Sequence, residues 1–135
     1  MKLGFTGTRK GMSKNQIDTL KSILNNIFIE EFHHGKCIGA DTQAHEIAWD
    51  TIIRVKKIVI HPPLDKSLES KTIKQQPGET EELPPKNYLE RNRDIVDSTD
   101  ILIAAPNSII NNQNSGTWYT ISYAYQNKKP VIIII

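Results

Sequence analysis

The sequence predicts an α/β fold, a single-domain Rossmann-like three-layer sandwich around a five-stranded parallel sheet in the order 3-2-1-4-5. Short β-branched runs alternate along the chain with longer stretches of helical period, the pattern of strands joined by crossover helices. The strand runs are continuously apolar, which marks strands buried on both faces. Such crossovers are right-handed, so helices cover both faces and the strand order reverses between the first and fourth strands. Ligands of open parallel sheets bind at that reversal, beyond the carboxyl ends of the strands.

Leu3 to Thr6 form the first strand, which ends in the turn-prone run Gly7-Thr8-Arg9-Lys10-Gly11. Ser13 with Gln16 three residues on reads as a capping box. Ile17, Leu20, Leu24, Ile27 and Phe28 recur at one-face spacing, so a helix is expected over 14–29. Phe32 to His34 is a weaker strand closed by Gly35. The loop Cys37-Ile38-Gly39-Ala40-Asp41 follows, with Asp41 as the expected N-cap of the second helix. Ala44, Ile47, Ala48 and Ile52 give that helix a buried stripe through about residue 54.

Lys57 to His61 is the third strand, stopped by Pro62-Pro63. Residues 62–86 hold five of the seven prolines and few large apolar groups; a stretch of that length inside a small domain reads as a long loop or lid. Residues 88–98 are expected as helix, Ile101 to Ala105 as strand and 106–115 as polar loop. Gly116 to Gln126 follows as helix, and Val131 to Ile135 as the fifth strand.

Composition narrows the function classes. At 135 residues and 15.3 kDa, 38% hydrophobic and 24% charged, the chain is one soluble domain spanning 1–135. No apolar run approaches the roughly 20 residues of a membrane span, and no signal-peptide pattern follows Met1, so a cytoplasmic protein without a membrane partner is expected. A single cysteine, Cys37, excludes an intrachain disulfide and a cysteine-based zinc site. A net charge of +2 is too mild to imply a nucleic-acid partner. His33 and His34 are neighbours in a strand and point to opposite faces, so no metal is expected there, nor any cofactor. No serine sits in a nucleophile-elbow context.

Four loops meet at the carboxyl ends of the strands and have the composition of a phosphate or ribose site. Gly7, Thr8 and Arg9 offer close backbone approach, a hydroxyl and a planar guanidinium fork. Gly39, Ala40 and Asp41 place an acid that can bond ribose hydroxyls, with His45 beyond as a structural hydrogen-bonding histidine. In Asn87-Tyr88-Leu89-Glu90-Arg91-Asn92-Arg93, Arg91 and Arg93 cannot both face one way on a helix. Ser115, Gly116 and Thr117 at a helix N-terminus make a ready anion site, and Trp118 or Tyr119 could stack on a base. Asp41, Glu90 and Arg91 are the candidate catalytic residues.

Four segments carry a resemblance: Gly4-Phe5-Thr6-Gly7-Thr8-Arg9, His34-Gly35-Lys36-Cys37-Ile38-Gly39-Ala40-Asp41 with Ala44-His45, Tyr88-Leu89-Glu90-Arg91-Asn92-Arg93, and Ser115-Gly116-Thr117. Together they resemble the SLOG superfamily, the domains of the Smf or DprA-like DNA-processing proteins and the LOG cytokinin-activating enzymes. The resemblance implies a nucleotide or nucleotide-derived ligand in the crevice, ADP-ribose-like or a nucleoside monophosphate, held by a sensor or a sponge. In the LOG branch, which hydrolyses nucleoside 5′-monophosphates at the N-glycosidic bond, an arginine matches Arg91 and a glycine-threonine step matches Gly116-Thr117. The two glutamates after that step fall here on Tyr119 and Thr120, and its preceding diglycine on Asn114-Ser115.

N-glycoside hydrolysis or glycosyl transfer, with Asp41 or Glu90 as substitute acid, is therefore the alternative reading. A single-stranded DNA-binding module of the DprA type, which needs a basic groove with stacking aromatics, ranks last, because 17 basic residues face 15 acidic ones and no basic run exceeds two. An apolar terminal strand at the sheet edge, and the dimers common in the superfamily, imply a homodimer.

Overall fold

The computed structural model describes residues 1–51, 53–111 and 115–135. In chain order it runs β1 (Lys2–Gly7), α1 (Lys14–Asn26), β2 (Glu31–His34), α2 (Ala40–Asp50), β3 (Ile58–Ile60), a single 3-10 turn (Lys66–Leu68), β4 (Thr80–Glu82), α3 (Tyr88–Asp97), β5 (Ile101–Ala105), α4 (Gly116–Gln126) and β6 (Val131–Ile133). The strands pair in parallel in the order β4-β3-β2-β1-β5-β6. The α/β class, the parallel sheet and the reversal beside β1 are as the sequence predicts.

The strand count is not. The sheet has six strands rather than five, because Thr80, Glu81 and Glu82 pair with Ile58, Val59 and Ile60 and extend the order 3-2-1-4-5 by one edge strand. An edge strand has a solvated side, so it needs no apolar run to announce it, and charges there discourage pairing with other chains. Glu82 pairs with Lys36 at 2.6 Å, and Glu81 with Lys57.

Residues 62–86 are accordingly no free loop. Ser70 N–H donates to the Lys36 carbonyl at 2.8 Å, Ile38 N–H to the Leu68 carbonyl at 3.0 Å, and the His45 ring bonds the Lys74 carbonyl at 2.8 Å. Backbone bonding of this kind leaves no trace in composition.

α1 and α2 cover one face of the sheet. Leu20, Leu24, Ala44 and Ala48 pack there on Leu3, Phe5, Phe32, Ile58 and Ile60, with the Phe5 and Phe32 rings 6.1 Å apart. α3 and α4 cover the other face through Ile95, Val96 and Ala124 on Leu102. Gly4 lets α3 approach, since a Cβ there would lie 2.8 Å from Thr99 Oγ1. The capping box forms: Gln16 N–H donates to Ser13 Oγ at 3.1 Å and Ser13 N–H to Gln16 Oε1 at 2.9 Å. Gln16 Nε2 also donates to the carbonyls of Pro106 (2.8 Å) and Ile134 (3.0 Å), tying α1 to the segments that follow β5 and β6.

Several boundaries move. α1 stops at Asn26 rather than 29, since Ile29 is taken into a parallel bridge with Val55. α2 ends at Asp50, where the Thr51 hydroxyl donates to the Ile47 carbonyl at 2.8 Å; Ile52, read as part of its stripe, lies outside the described residues. Asp41 does not cap α2. Gly39 holds that position at φ 86°, a left-handed conformation that favours glycine, so the helix begins before Asp41 and frees its carboxyl for another role. No helix among the described residues is long and apolar enough to cross a membrane.

Candidate functional site

The carboxyl ends of β1 and β5, where the strand order reverses, open into a crevice of about 240 Å³. Gly7, Thr8, Arg9 and Lys10 line it from the loop after β1, and Gly35, Cys37 and Asp41 from the loop after β2. Tyr88, Arg91, Asn92 and Ile95 contribute from α3, and Ser115, Gly116 and Thr117 from the start of α4. Four loops distant in sequence thus meet as predicted.

Arg91 lines the crevice and is only 3% exposed. Its Nε donates to Asn92 Oδ1 at 2.8 Å, Nη1 to the carbonyls of Gly35 and of His61 (3.0 Å for the latter), and Nη2 to Cys37 Sγ at 3.5 Å. Every acceptor is neutral. Among the described residues no carboxylate oxygen comes within 4.0 Å of the guanidinium. Gly35 must be glycine here, because a Cβ would overlap Arg91 Nη1.

Asp41 faces the same space, 6% exposed, and accepts from Cys37 N–H at 3.1 Å. Burial pushes its carboxyl up to about 6 against the pull of Arg91, the Cys37 and Gly35 amides and Arg9. A buried carboxyl normally ionises when a cation pairs with it; here the two charges lie on either side of Gly35 without pairing. Burial and Asp41 together also push the Cys37 thiol up, so it stays neutral.

The opposite wall is built by a tyrosine. The Tyr88 ring lies under two guanidinium groups, Arg9 at 5.3 Å and Arg91 at 5.9 Å from its centroid, a cation–π arrangement that holds both cations toward the crevice. Its hydroxyl lies against Gly116, where a Cβ would overlap it. Ser115 Oγ caps α4 by accepting from Trp118 N–H at 3.4 Å.

Gly7, Thr8, Arg9, Asp41, Arg91, Ser115, Gly116 and Thr117 all line the crevice. Gly39 and Ala40 lie beneath it instead: Gly39 packs on the Arg9 backbone, Ala40 packs under Gly7, and Ala40 N–H donates to the Thr8 carbonyl at 2.9 Å, shaping the loop from below. Glu90 is exposed on another face of α3, 3.8 Å from Lys86. Arg93 is exposed and donates to the Tyr119 hydroxyl at 3.0 Å, so Arg91 alone of the two enters the site. Trp118 turns to the Ser108 carbonyl at 3.1 Å. Tyr88, Lys10, Cys37 and Asn92 line the crevice without being singled out by the sequence. The signal for Tyr88 and Asn92 was helical spacing, since Tyr88, Arg91 and Asn92 share one face as residues i, i+3 and i+4.

A parallel sheet with helices on both faces and its strand order reversing beside β1 is a Rossmann-like fold. No protein-family model matches the sequence, and no curated protein matches it. Solved structures do. The chain is similar to the molybdenum cofactor binding protein of the phototrophic bacterium Rippkaea orientalis, at 18% identity and TM-score 0.70 over 97% of this chain and 74% of that one. It is similar to the Moco carrier protein of Chlamydomonas reinhardtii, at 17% identity and TM-score 0.67 over 98% and 74%. The DNA processing protein A of Streptococcus pneumoniae matches at 18% identity and TM-score 0.68, over 98% of this chain but 49% of that one.

Proposed function

We propose that the crevice binds a phosphate-bearing, nucleotide-derived ligand, and that the protein acts by holding it, as a sensor or a sponge. The observation that carries this reading is Arg91, a guanidinium 3% exposed whose acceptors are all neutral. Burying a charge without a counter-charge in contact costs several kcal/mol, and an anion entering the crevice supplies that contact. Arg9, Lys10 and the amides at the start of α4 face the same space and suit the remaining phosphate oxygens. The partly exposed Tyr88 offers an aromatic edge to the planar part of such a ligand.

A thermal-shift panel of AMP, ADP-ribose, NAD and the molybdenum cofactor tests this reading; the last is included because two similar folds are named for it. A ligand at 100 times its dissociation constant adds about 2.7 kcal/mol of stability. A shift with one compound, absent in Arg91→Ala, is the expected result. No shift with any of them defeats the assignment.

One observation favours a second reading, cleavage of the ligand's N-glycosidic bond. Asp41 carries a carboxyl pushed up to about 6, and an acid with its proton near neutral pH can protonate a leaving base. Release of adenine from AMP, abolished in Asp41→Asn, supports it; intact AMP after prolonged incubation counts against it. The outer edge of β6, with Ile132 and Ile135 exposed, supports a homodimer, and sedimentation of a monomer at micromolar concentration overturns that.

A further inference from the structure

The crevice that suits an anion also contains a buried acid, and the two cannot both be charged without penalty. Asp41 and Arg91 flank Gly35 so closely that a Cβ on that glycine would lie 3.0 Å from Asp41 Oδ2 and would overlap Arg91 Nη1. An anion seated against Arg91 therefore lies beside Asp41 as well. Two anionic groups sharing a dry site hold a proton between them, and a ligand that displaces water strengthens that repulsion.

We propose that Asp41 meets the ligand as the neutral acid, donating a hydrogen bond from its carboxyl to a phosphate oxygen, so that a ligand entering the crevice while Asp41 is ionised brings one proton with it. The inference rests on the anion-binding reading of the crevice and adds a regulation to it: occupancy rises as the medium becomes more acidic. The proton comes from solvent and returns to it on release, and no bond of the ligand is broken.

Charged and titratable groups face Asp41 from three other elements of the crevice. Arg91 faces it from α3, Arg9 from the loop after β1, and the Cys37 thiol from the loop after β2. Lys10 and the Tyr88 hydroxyl line the same crevice. The Cys37 thiol is pushed up by burial and by Asp41. His61, whose carbonyl accepts from Arg91, is pushed down to about 4 by burial and by His33. Asp41 is pushed up to about 6.

The test measures ADP-ribose affinity from about pH 5 to pH 8, because both its phosphates are diesters that stay ionised over that range. Affinity is expected to rise up to tenfold per pH unit as pH falls toward 6 and to level off below it. Calorimetry at about pH 7 in buffers of different ionisation enthalpy should show proton uptake on binding. In Asp41→Asn the amide donates without a proton, so binding becomes independent of pH and equals the acid-limit affinity of the parent protein. A second readout needs no ligand: the ¹³C resonance of the Asp41 carboxyl should titrate near 6 in the free protein and higher with ADP-ribose bound.

ADP-ribose that binds with the same affinity at every pH overturns the proton linkage and leaves the crevice assignment standing. An Asp41 resonance that titrates near the ordinary aspartate value overturns the linkage whatever binds. Failure of ADP-ribose to bind at any pH removes both this inference and the assignment of that ligand.

Discussion

Gly35 separates two clusters of buried polar side chains that treat their charges in opposite ways. On one side stand the histidines. Lys36 N–H donates to His34 Nδ1 at 3.0 Å, so His34 carries its proton on Nε2 and donates it to His45 Nδ1 at 2.9 Å; His45 Nε2 then donates to the Lys74 carbonyl at 2.8 Å. Through the sheet, His33 Nδ1 and His61 Nε2 lie 2.8 Å apart, and His33 Nε2 meets Glu31 at 2.9 Å. All four histidines of the chain are neutral partners in these closed pairs, which fasten β2 to α2, to the residues after β3, and to the 62–86 segment. On the other side Arg91 and Asp41 are equally buried, yet each lacks an opposite charge in contact. A closed network rigidifies a fold; a buried charge without its counter-charge is a place for a ligand.

The largest test of this contrast is Arg91→Ala. Removing a guanidinium that binds an anion should weaken affinity about a hundredfold, roughly 3 kcal/mol, with a loss of stability smaller than that of His34→Leu, because the hydrogen bonds lost are offset by the desolvated charge that has gone. A collapse of stability in that variant would place Arg91 with the histidines as a structural group. His34→Leu should do the reverse. It leaves the Lys36 amide and His45 Nδ1 without partners, at about 2 to 3 kcal/mol of stability, read by denaturant melting, while affinity at 25 °C stays close to that of the parent.

Acid should act on the histidine side next. A histidine held below its ordinary value binds fewer protons folded than unfolded, so its contribution is full above about pH 6.5 and drains away as pH falls toward the folded value. For His61, at about 4, the loss at pH 5 is about 2 kcal/mol, and His33, His34 and His45, also pushed down by burial, add in the same direction. Asp41 opposes them. Its folded value of about 6 lies above the unfolded one, so it gains stability as pH falls through 6. Asp41→Asn should therefore steepen the acid loss of melting temperature between about pH 6 and pH 4, and an unchanged slope would show that Asp41 titrates normally.

The smallest expected effect is at the wall. In Gly116→Ala the new methyl meets the Tyr88 hydroxyl, which displaces the ring that holds Arg9 and Arg91. Affinity should fall about tenfold, near 1.4 kcal/mol, and Tyr88→Leu in the same chain should recover part of it. If the double variant binds no better than Gly116→Ala, the clash lies elsewhere.

Much of this was legible beforehand. The apolar rhythm placed β1, α1, β2, β3, α3, β5 and α4 close to their positions, and the capping box at Ser13 and Gln16 formed as read. The crevice residues were legible where a loop had a distinctive composition, as at Gly7-Thr8-Arg9 and Ser115-Gly116-Thr117. They were illegible where helical facing decided: nothing local ranks Tyr88 above Trp118, yet one faces the crevice and the other a carbonyl of the preceding loop. Asp41 was misread as a cap because a positive-φ glycine two residues earlier is an equal local solution.

By itself, then, the sequence determined the class of fold, the site of strand reversal and four loops that had to meet there, because periodicity and turn chemistry act over a few residues. The sixth strand, the pairing of the four histidines and the separation of Arg91 from Asp41 were decided only in three dimensions. Each depends on which groups, far apart in the chain, find partners in the dry interior and which do not, and that balance of desolvation against pairing has no local signature.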